Sequence, residues 1–180
     1  MKATDCIRLR RSIRKYKDKP VDEITIKKII SVAAFAPSWK NSQTTRYIAV
    51  TDKTLKERMA NEGMMGFEYN IKTAINAPVI IAVTTVNGRS GYERDGSFTT
   101  SKGTHWQSFD AGIATQTLCL AAFKEGLGTV IMGIFDEQKV SEILNVPEGQ
   151  SVSALVALGY ADEEPEAPKR KAVEDLLTIK

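Results

Sequence analysis

Three arginines and a serine fall within five residues near the start of the chain, in the segment RRSIR at residues 10–14. A guanidinium is a planar fork of hydrogen-bond donors that matches the geometry of phosphate and carboxylate groups. If this segment leaves the end of a short helix, its side chains can converge on one anion. A second basic cluster, Lys169-Arg170-Lys171, lies near the other end of the sequence. The chemistry that these residue types favour is binding of a phosphate-like anion.

Four motifs, taken in order along the chain, resemble those of the nitroreductase family of FMN-dependent oxidoreductases. Each motif is weak alone, but the four together, in this order and at this spacing, are fairly specific. The resemblance covers essentially the whole chain. They are RRSIR at residues 10–14 followed by Tyr16, APSWKNSQ at residues 36–43, the glycine-rich turn at residues 126–128 leading to Met132-Gly133, and the basic motif at residues 169–171.

The resemblance implies an α+β fold, in which helices flank a mixed central β-sheet, and an intertwined homodimer with one FMN at each subunit interface. Residues 1–180 would form a single FMN-binding domain. NADH or NADPH would reduce the flavin, and an electron-poor small molecule such as a nitroaromatic or a quinone would take the electrons in a ping-pong reaction. The hydride chemistry would belong to FMN, so no side chain is assigned as a catalytic acid, base or nucleophile.

The resemblance also implies which residues hold the FMN phosphate and ribityl chain. Arg10 and Ser12 at one end of the chain, and Lys169 and Arg170 at the other, would reach this region, and Arg11 would assist. A phosphate needs several cationic donors, each worth roughly 1.5–3 kcal/mol as a charge-assisted hydrogen bond. Arg14 is assigned nearer to the flavin edge or the mouth of the site.

The flavin ring is assigned to two further stretches. Pro37 and Ser38 would shape the turn beneath the ring, and Gln43 would contact a flavin oxygen. Asn41 would reach the ring edge, which its amide suits because it carries both a donor and an acceptor. The backbone of Ile131-Met132-Gly133 would pass the reactive edge, where glycine allows a close approach.

The sequence departs from the family pattern at Thr44-Thr45, where many members have Pro-Trp. This departure concerns the substrate side more than the flavin side. Trp39 and Trp106 either replace part of the lost aromatic surface or belong to the core. Phe67 and Tyr69 are candidates for the mouth of the pocket.

Composition excludes several classes of protein. The 25 basic and 22 acidic residues give a net charge of +3, too small to make nucleic acid the main partner. Cys6 and Cys119 lack metal or redox spacing, and the single histidine, His105, excludes a His-rich metal site; we interpret it as a surface or helix-start residue. No apolar signal region or bilayer-length run is present, so we expect a cytoplasmic protein without membrane association.

Local patterns predict the elements that carry these motifs. Asp22, Asp52 and Asp136 are expected to cap helices, and a long helix from Thr104 to about Glu125 is apolar nearly all round, which favours cover by a second subunit. Strands are expected at residues 46–51, 78–83, 129–132 and 152–158.

Three segments between or beyond these elements are predicted to be irregular. Residues 61–66 read as a bend with exposed methionines. The segment from Asn87 to Gly103 is polar and glycine-rich, which is typical of a lid or a disordered loop. The tail from Ala172 to Lys180 is compatible with a helical turn or with an added strand.

Three alternative functions stay open at this level. One is a family relative with a dedicated reductive substrate, including dehalogenation or flavin fragmentation. Another is a flavin-binding storage or sensor protein with little turnover. The weakest is an anion- or nucleic-acid-binding module built on the basic clusters, which predicts salt-sensitive binding and a colourless protein.

Overall fold

A four-stranded sheet forms the centre of the fold in this computed structural model, which describes residues 2–180. The strand order is β1-β2-β4-β3, and each neighbouring pair is antiparallel. Among the described residues, parallel pairing occurs at the isolated bridge between Ser12 and Thr129. The strands are β1 (Thr45–Val50), β2 (Val79–Val86), β3 (Gly128–Met132) and β4 (Gln150–Gly159).

Within residues 2–180, six helices surround this sheet: five pack on its two faces and the first packs on the long fifth helix, which confirms the expected α+β architecture. Two short 3-10 turns, Trp39–Asn41 and Val173–Asp175, complete the regular elements. The helices are α1 (Ala3–Leu9), α2 (Glu23–Ala33), α3 (Lys53–Gly63), α4 (Glu68–Asn76), α5 (His105–Lys124) and α6 (Glu137–Leu144). None of the helices within residues 2–180 combines the length and the apolar character needed to cross a bilayer.

Strand β2 separates two hydrophobic cores because its side chains alternate between the faces of the sheet. Ile81 and Val83 pack with α2 and α5, whereas Ile80 and Ala82 pack with α3, α4 and α6. Both faces of β2 are therefore buried, as its continuous apolar sequence predicts. Each fully buried aliphatic side chain contributes roughly 1.5–3 kcal/mol.

The three aspartates predicted as helix caps all act as caps. Their carboxylates accept hydrogen bonds from main-chain N–H groups in the first helical turn, which have no partner inside the helix. By contrast, the Thr104 hydroxyl makes no capping bond at the start of α5. The capping pairs are Asp22 with Thr25 at 2.8 Å, Asp52 with Leu55 at 2.7 Å and Asp136 with Lys139 at 3.0 Å.

The bend expected at residues 61–66 is present at residues 64–66, but the expected exposure of its methionines is correct for Met65 and wrong for Met64. Helix α3 continues to Gly63, and Met64 is fully buried in the core formed by α3, α4 and α6, while Met65 is 68% exposed. Local glycine content predicts the bend, whereas the burial of Met64 depends on side chains of neighbouring helices that the local sequence does not reveal.

The N-terminal segment lies along the free edge of β3. The main-chain N–H of Ile13 donates to the carbonyl of Thr129 at 3.0 Å, and that of Lys17 donates to Tyr160 at 2.9 Å. Gly128 makes this approach possible, since a Cβ there would lie 2.6 Å from Cγ1 of Ile13. The fold thus fixes the RRSIR segment, residues 10–14, beside β3.

The chain beyond β4 is mostly extended and exposed. Residues 173–175 form a 3-10 turn, so the helical alternative for the tail is the one observed. Four apolar side chains of the tail point into solvent rather than into the fold. They are Val173 (63% exposed), Leu176 (70%), Leu177 (57%) and Ile179 (87%).

Candidate functional site

Arg10 combines a charged side chain with a buried nitrogen that has no hydrogen-bond partner. Its Nε is buried, and no atom within residues 2–180 accepts from it. Ser12 lies next to it, bridged to Thr129 at the edge of β3. Burial raises the pKa of the nearby Cys119 thiol on α5, and the positive charge of Arg10 acts in the opposite direction. A buried donor without a partner is costly, which suits a position that receives an anion.

The two other arginines of the segment have different surroundings. Nη1 of Arg11 donates to the main-chain carbonyls of Arg8 at 2.7 Å and Arg10 at 3.0 Å. This nitrogen therefore caps the C-terminal end of α1. The Arg14 side chain is exposed. The Glu163 carboxylate accepts from the main-chain N–H groups of Arg14 and Lys15, which anchors the backbone here.

The end of β3 offers an open stretch of backbone. Met132 is buried, whereas Ile131 is 48% exposed. Gly133 is exposed, and a Cβ placed on it would meet no atom within 4 Å. This stretch leaves room for a planar group close to its backbone, and the assignment of residues 131–133 to a ring stays a prediction.

Asn70 on α4 supports the same stretch and was missed in the sequence. Its Nδ2 donates to the carbonyl of Ile134 at 3.0 Å, immediately after Gly133. The neighbouring rings of Phe67 and Tyr69 are exposed and stack at 5.6 Å between centroids. A lone asparagine in a predicted helix carries no signal in the sequence, because its partner lies 64 residues away.

The loop that carries Asn41 has an unusual backbone. Lys40, Asn41 and Gln43 all adopt left-handed conformations, with φ of 45°, 53° and 47°. Such values are uncommon outside glycine and tend to concentrate at functional sites. The Ser38 hydroxyl closes the loop by accepting from the main-chain N–H of Gln43 at 2.9 Å. Pro37, Asn41 and Gln43 are exposed, so the loop presents its polar groups outward.

The departure at residues 44–45 produces no aromatic surface in place of the family's Pro-Trp. Thr44 is buried, and its hydroxyl has no partner within the described residues. Trp39 and Trp106 instead contact each other in a tilted arrangement, with ring centroids 4.7 Å apart and ring planes at 47°, and both are partly buried. The aromatic surface on this side therefore comes from outside the Thr44-Thr45 pair.

The predicted C-terminal cations are not brought to the N-terminal cluster. Lys169 and Arg170 are exposed on the extended tail. Within residues 2–180, no hydrogen bond or ion pair joins either side chain to Arg10 or Ser12. Their assignment to a phosphate stays a prediction.

The remaining predicted residues fall into two groups at opposite edges of the sheet. Arg10, Ser12 and residues 131–133 border β3, whereas the loop at residues 36–43 leads into β1. Three strand spacings separate these edges, about 14 Å. The loop also contacts Asp110, and Arg10 lies near Cys119, nine residues further along α5, or about 14 Å. One copy of the chain thus does not gather both groups around one ring.

Comparison with known proteins gives consistent matches over most of the chain. The model of the nitroreductase family matches residues 7–160. An NADH dehydrogenase of Thermus thermophilus is 30% identical over 178 residues, covering 86% of this chain and 84% of that protein. The structure of a nitroreductase family protein from Clostridium novyi NT is 30% identical, with a TM-score of 0.78, and the match covers 93% of this chain and 89% of the other.

A second similar structure is that of an enzyme named for its dependence on FMN. It is an FMN-dependent nitroreductase from Clostridium difficile R20291, 30% identical with a TM-score of 0.73. The match covers 92% of this chain and 91% of that one.

Proposed function

The chain belongs to the nitroreductase family of oxidoreductases, and on that basis we propose that it is an FMN-dependent NAD(P)H oxidoreductase acting as a homodimer. Nitroaromatics, quinones or related electron-poor molecules are the proposed acceptors. When bound, FMN would accept hydride from NADH or NADPH and return electrons to an acceptor at the same place, which gives ping-pong kinetics. The similar FMN-dependent enzyme of C. difficile supports the choice of cofactor.

The observation that carries this proposal is the Nε of Arg10, which is buried and has no hydrogen-bond partner within residues 2–180. A phosphate placed there would satisfy a donor that otherwise costs stability, and Ser12, two residues further along the chain, is the proposed hydroxyl donor. Lys169 and Arg170 are on an exposed tail that is free to add further positive charge. The donor set is therefore suited to the phosphate end of FMN.

The open backbone at Gly133 supports the ring end. With no atom within 4 Å of a Cβ placed there, a flat ring can approach the main chain closely. Asn70 holds the following carbonyl of Ile134 and so fixes the direction of this backbone. These residues bind and orient the ring, and the exposed Phe67 and Tyr69 border the way in.

The second half of the ring site is proposed to come from a second copy of the chain. Pro37, Ser38, Asn41 and Gln43 lie at the β1 edge, across the sheet from Arg10. The amide side chains of Asn41 and Gln43 are exposed there. A two-fold dimer that places this loop against the β3 edge of its partner would complete two equal sites. The strained loop would then be held for contact with the partner's cofactor.

An apolar groove and an apolar tail support the same assembly. The groove, of about 850 Å³, lies between α2 and β1 and is lined by residues such as Ile26, Ile30 and Tyr47. Strand β1 ends the sheet on this side, and an uncovered edge strand invites pairing with another chain. The tail of a second copy, with Leu176 and Ile179 exposed, is the proposed occupant. Sedimentation should show a dimer for the full chain and loss of the dimer when residues 172–180 are removed.

The experiment that tests the cofactor and the reaction is an anaerobic titration followed by absorbance. The purified protein is saturated with FMN, freed of excess flavin, and treated with NADH or NADPH and then with a quinone. We expect flavin bands that bleach with at least one nucleotide and return with the quinone.

Each other outcome contradicts part of the proposal. Bands that nicotinamide nucleotides do not bleach would favour a storage or sensor role. A protein that neither carries nor takes up FMN would overturn the assignment of the basic clusters to a flavin phosphate.

A further inference from the structure

Asp110 joins two loops that are far apart in the sequence, and we propose that it is a positioning residue for the acceptor side of the site. It would set the aromatic surface formed by Trp39, Trp106 and Phe109, against which the ring of an electron acceptor lies. This inference rests on the proposed function, since the surface adjoins the loop assigned to the partner's FMN.

The Asp110 carboxylate is buried on α5, with 3% of its surface exposed. Its Oδ2 accepts from the main-chain N–H of Trp39 at 2.9 Å and from the hydroxyl of Ser90 at 2.7 Å. Ser90 is itself fully buried. One carboxylate oxygen therefore ties the loop at residues 36–43 to the loop at residues 87–104; the bond from Ser90 is buried and the bond from Trp39 is partly buried.

The second loop is fixed to the indole of Trp106 by further contacts. Nε1 of Trp106 donates to the Thr100 hydroxyl at 2.9 Å. Gly91 follows Ser90 with a φ of 83°, and a Cβ there would lie 2.9 Å from Cδ1 of Trp106. The Thr99 N–H donates to the carbonyl of Gly91 at 2.9 Å. The loop is thus ordered around Trp106, in contrast to the disordered alternative for this glycine-rich segment.

Asp110 consequently determines where two indoles meet. It holds the backbone of Trp39 directly, and it holds the loop that packs on Trp106 through Ser90. The two rings lie 4.7 Å apart, and Phe109, which is 59% exposed, meets Trp106 edge-on at 5.5 Å. Aromatic surfaces favour stacked or edge-on contact with other planar rings. A planar acceptor fits this surface better than an aliphatic one.

The aromatic surface of Trp39, Trp106 and Phe109 can take the place of the aromatic residue that is missing at residues 44–45. Trp39 lies two residues before Asn41, in the same loop that is assigned to the flavin ring. A shift of the Trp39 backbone would therefore move this aromatic surface relative to the proposed flavin ring. We expect such a shift to alter the KM for the acceptor more than the rate of flavin reduction by NAD(P)H.

The test compares Asp110→Ala with Asp110→Asn in the FMN-loaded full chain. Trp39 and Trp106 are the only two tryptophans of the sequence, so exciton-coupled circular dichroism of the indole pair reports their geometry without turnover. We expect Asp110→Ala to lose this signal and to raise the quinone KM at least tenfold, with less than a threefold change in flavin reduction. Asp110→Asn keeps an oxygen that can accept both bonds and should restore most of both properties.

Asp95→Asn is the matched control, because this carboxylate lies in the same loop but bonds only to Ser97 nearby. It should change neither property. If Asp110→Ala does not fold, Ser90→Ala removes only the loop-side bond and should weaken the signal and raise the quinone KM severalfold.

An unchanged dichroism signal and quinone KM in Asp110→Ala, or in Ser90→Ala when the first variant does not fold, would overturn the inference. A wild-type protein without flavin would instead overturn the proposed function, while the dichroism comparison would still test the positions of the two indoles.

Discussion

The hydroxyl of Ser38 accepts a hydrogen bond from the main-chain N–H of Gln43 at 2.9 Å. The bond closes a short loop in which Lys40, Asn41 and Gln43 all have positive φ. Left-handed conformations of non-glycine residues cost on the order of 1–3 kcal/mol each and persist only where the surroundings fix them. Ser38 supplies one such constraint, and Asp110 supplies another at Trp39.

Ser38→Ala should loosen this loop without disturbing the rest of the fold. Loss of one hydrogen bond of about 1 kcal/mol should speed hydrogen exchange at the Gln43 amide by roughly fivefold. Amide exchange followed by NMR measures this directly. Ser31→Ala, which removes a hydroxyl bonded only to Lys28 within α2, should leave the Gln43 amide unchanged. Equal exchange in the wild type and Ser38→Ala would contradict the closing role of this bond.

Arg10→Ala combined with Arg170→Ala should release FMN. If each guanidinium makes one charge-assisted bond worth roughly 1.5–3 kcal/mol, the dissociation constant should rise on the order of 10²- to 10⁴-fold. Fluorescence titration with free FMN gives this constant. Arg58→Ala, which removes an exposed arginine paired with Glu62, is the control for loss of positive charge. A double variant that retains FMN as the wild type does would show that the phosphate binds elsewhere.

Gly133→Ala and Gly128→Ala should separate ligand binding from stability. A methyl on Gly133 meets nothing within 4 Å, so we expect a change in unfolding free energy below about 0.5 kcal/mol but FMN affinity reduced on the order of tenfold. A methyl on Gly128 would lie 2.6 Å from Ile13 and should cost about 1–3 kcal/mol. Urea unfolding of the FMN-free proteins and FMN titration test both. Unaltered FMN affinity in Gly133→Ala would argue against a ring at this backbone.

Lys56 should make stability depend on pH in the alkaline range. Its Nζ is buried and donates to the main-chain carbonyls of Ala77 and Pro78, the latter at 3.2 Å. Burial lowers the pKa of this ammonium, so the folded protein releases the proton at a lower pH than the unfolded chain. The unfolded state then binds more protons, and the free energy of unfolding rises as the pH approaches the unfolded pKa, about 10.4.

Lys56→Met should therefore be destabilised by about 1–3 kcal/mol at neutral pH, because two inward carbonyls lose their donor. The difference between wild type and variant should widen towards alkaline pH. Urea unfolding across the alkaline range measures it, with the exposed Lys53→Met as the control on the same helix. A gap that narrows with rising pH would show that the folded pKa is not lowered.

Local sequence signals predicted much of the fold. The caps at Asp22, Asp52 and Asp136 depend on side chains and N–H groups within four residues, so they are visible in the sequence. The apolar run of β2 likewise predicts a strand that is buried on both faces. The glycines around Met64 correctly predicted a bend, but the burial of its side chain depends on distant helices and was missed.

The site was predicted less completely for the same physical reason. Motif order pointed to the RRSIR segment and the loop at residues 36–43, whose roles stay predictions. It gave no signal for Asn70 or Asp110, whose partners lie 64 and 71 residues away. The tail stayed ambiguous because its exposed apolar side chains have no surface to pack on within one copy.

The separation of the two residue groups across the sheet has a genetic consequence. If the sites are shared between two chains as proposed, Arg10→Ala and Asn41→Ala would each impair both sites of a homodimer, since every site would lack one binding residue. Co-expressed, they should restore about a quarter of the wild-type sites, because half of the randomly assorted dimers are mixed and each mixed dimer has one intact site. Activity in such a mixture that neither variant shows alone would mean that each active site is formed by residues from two chains.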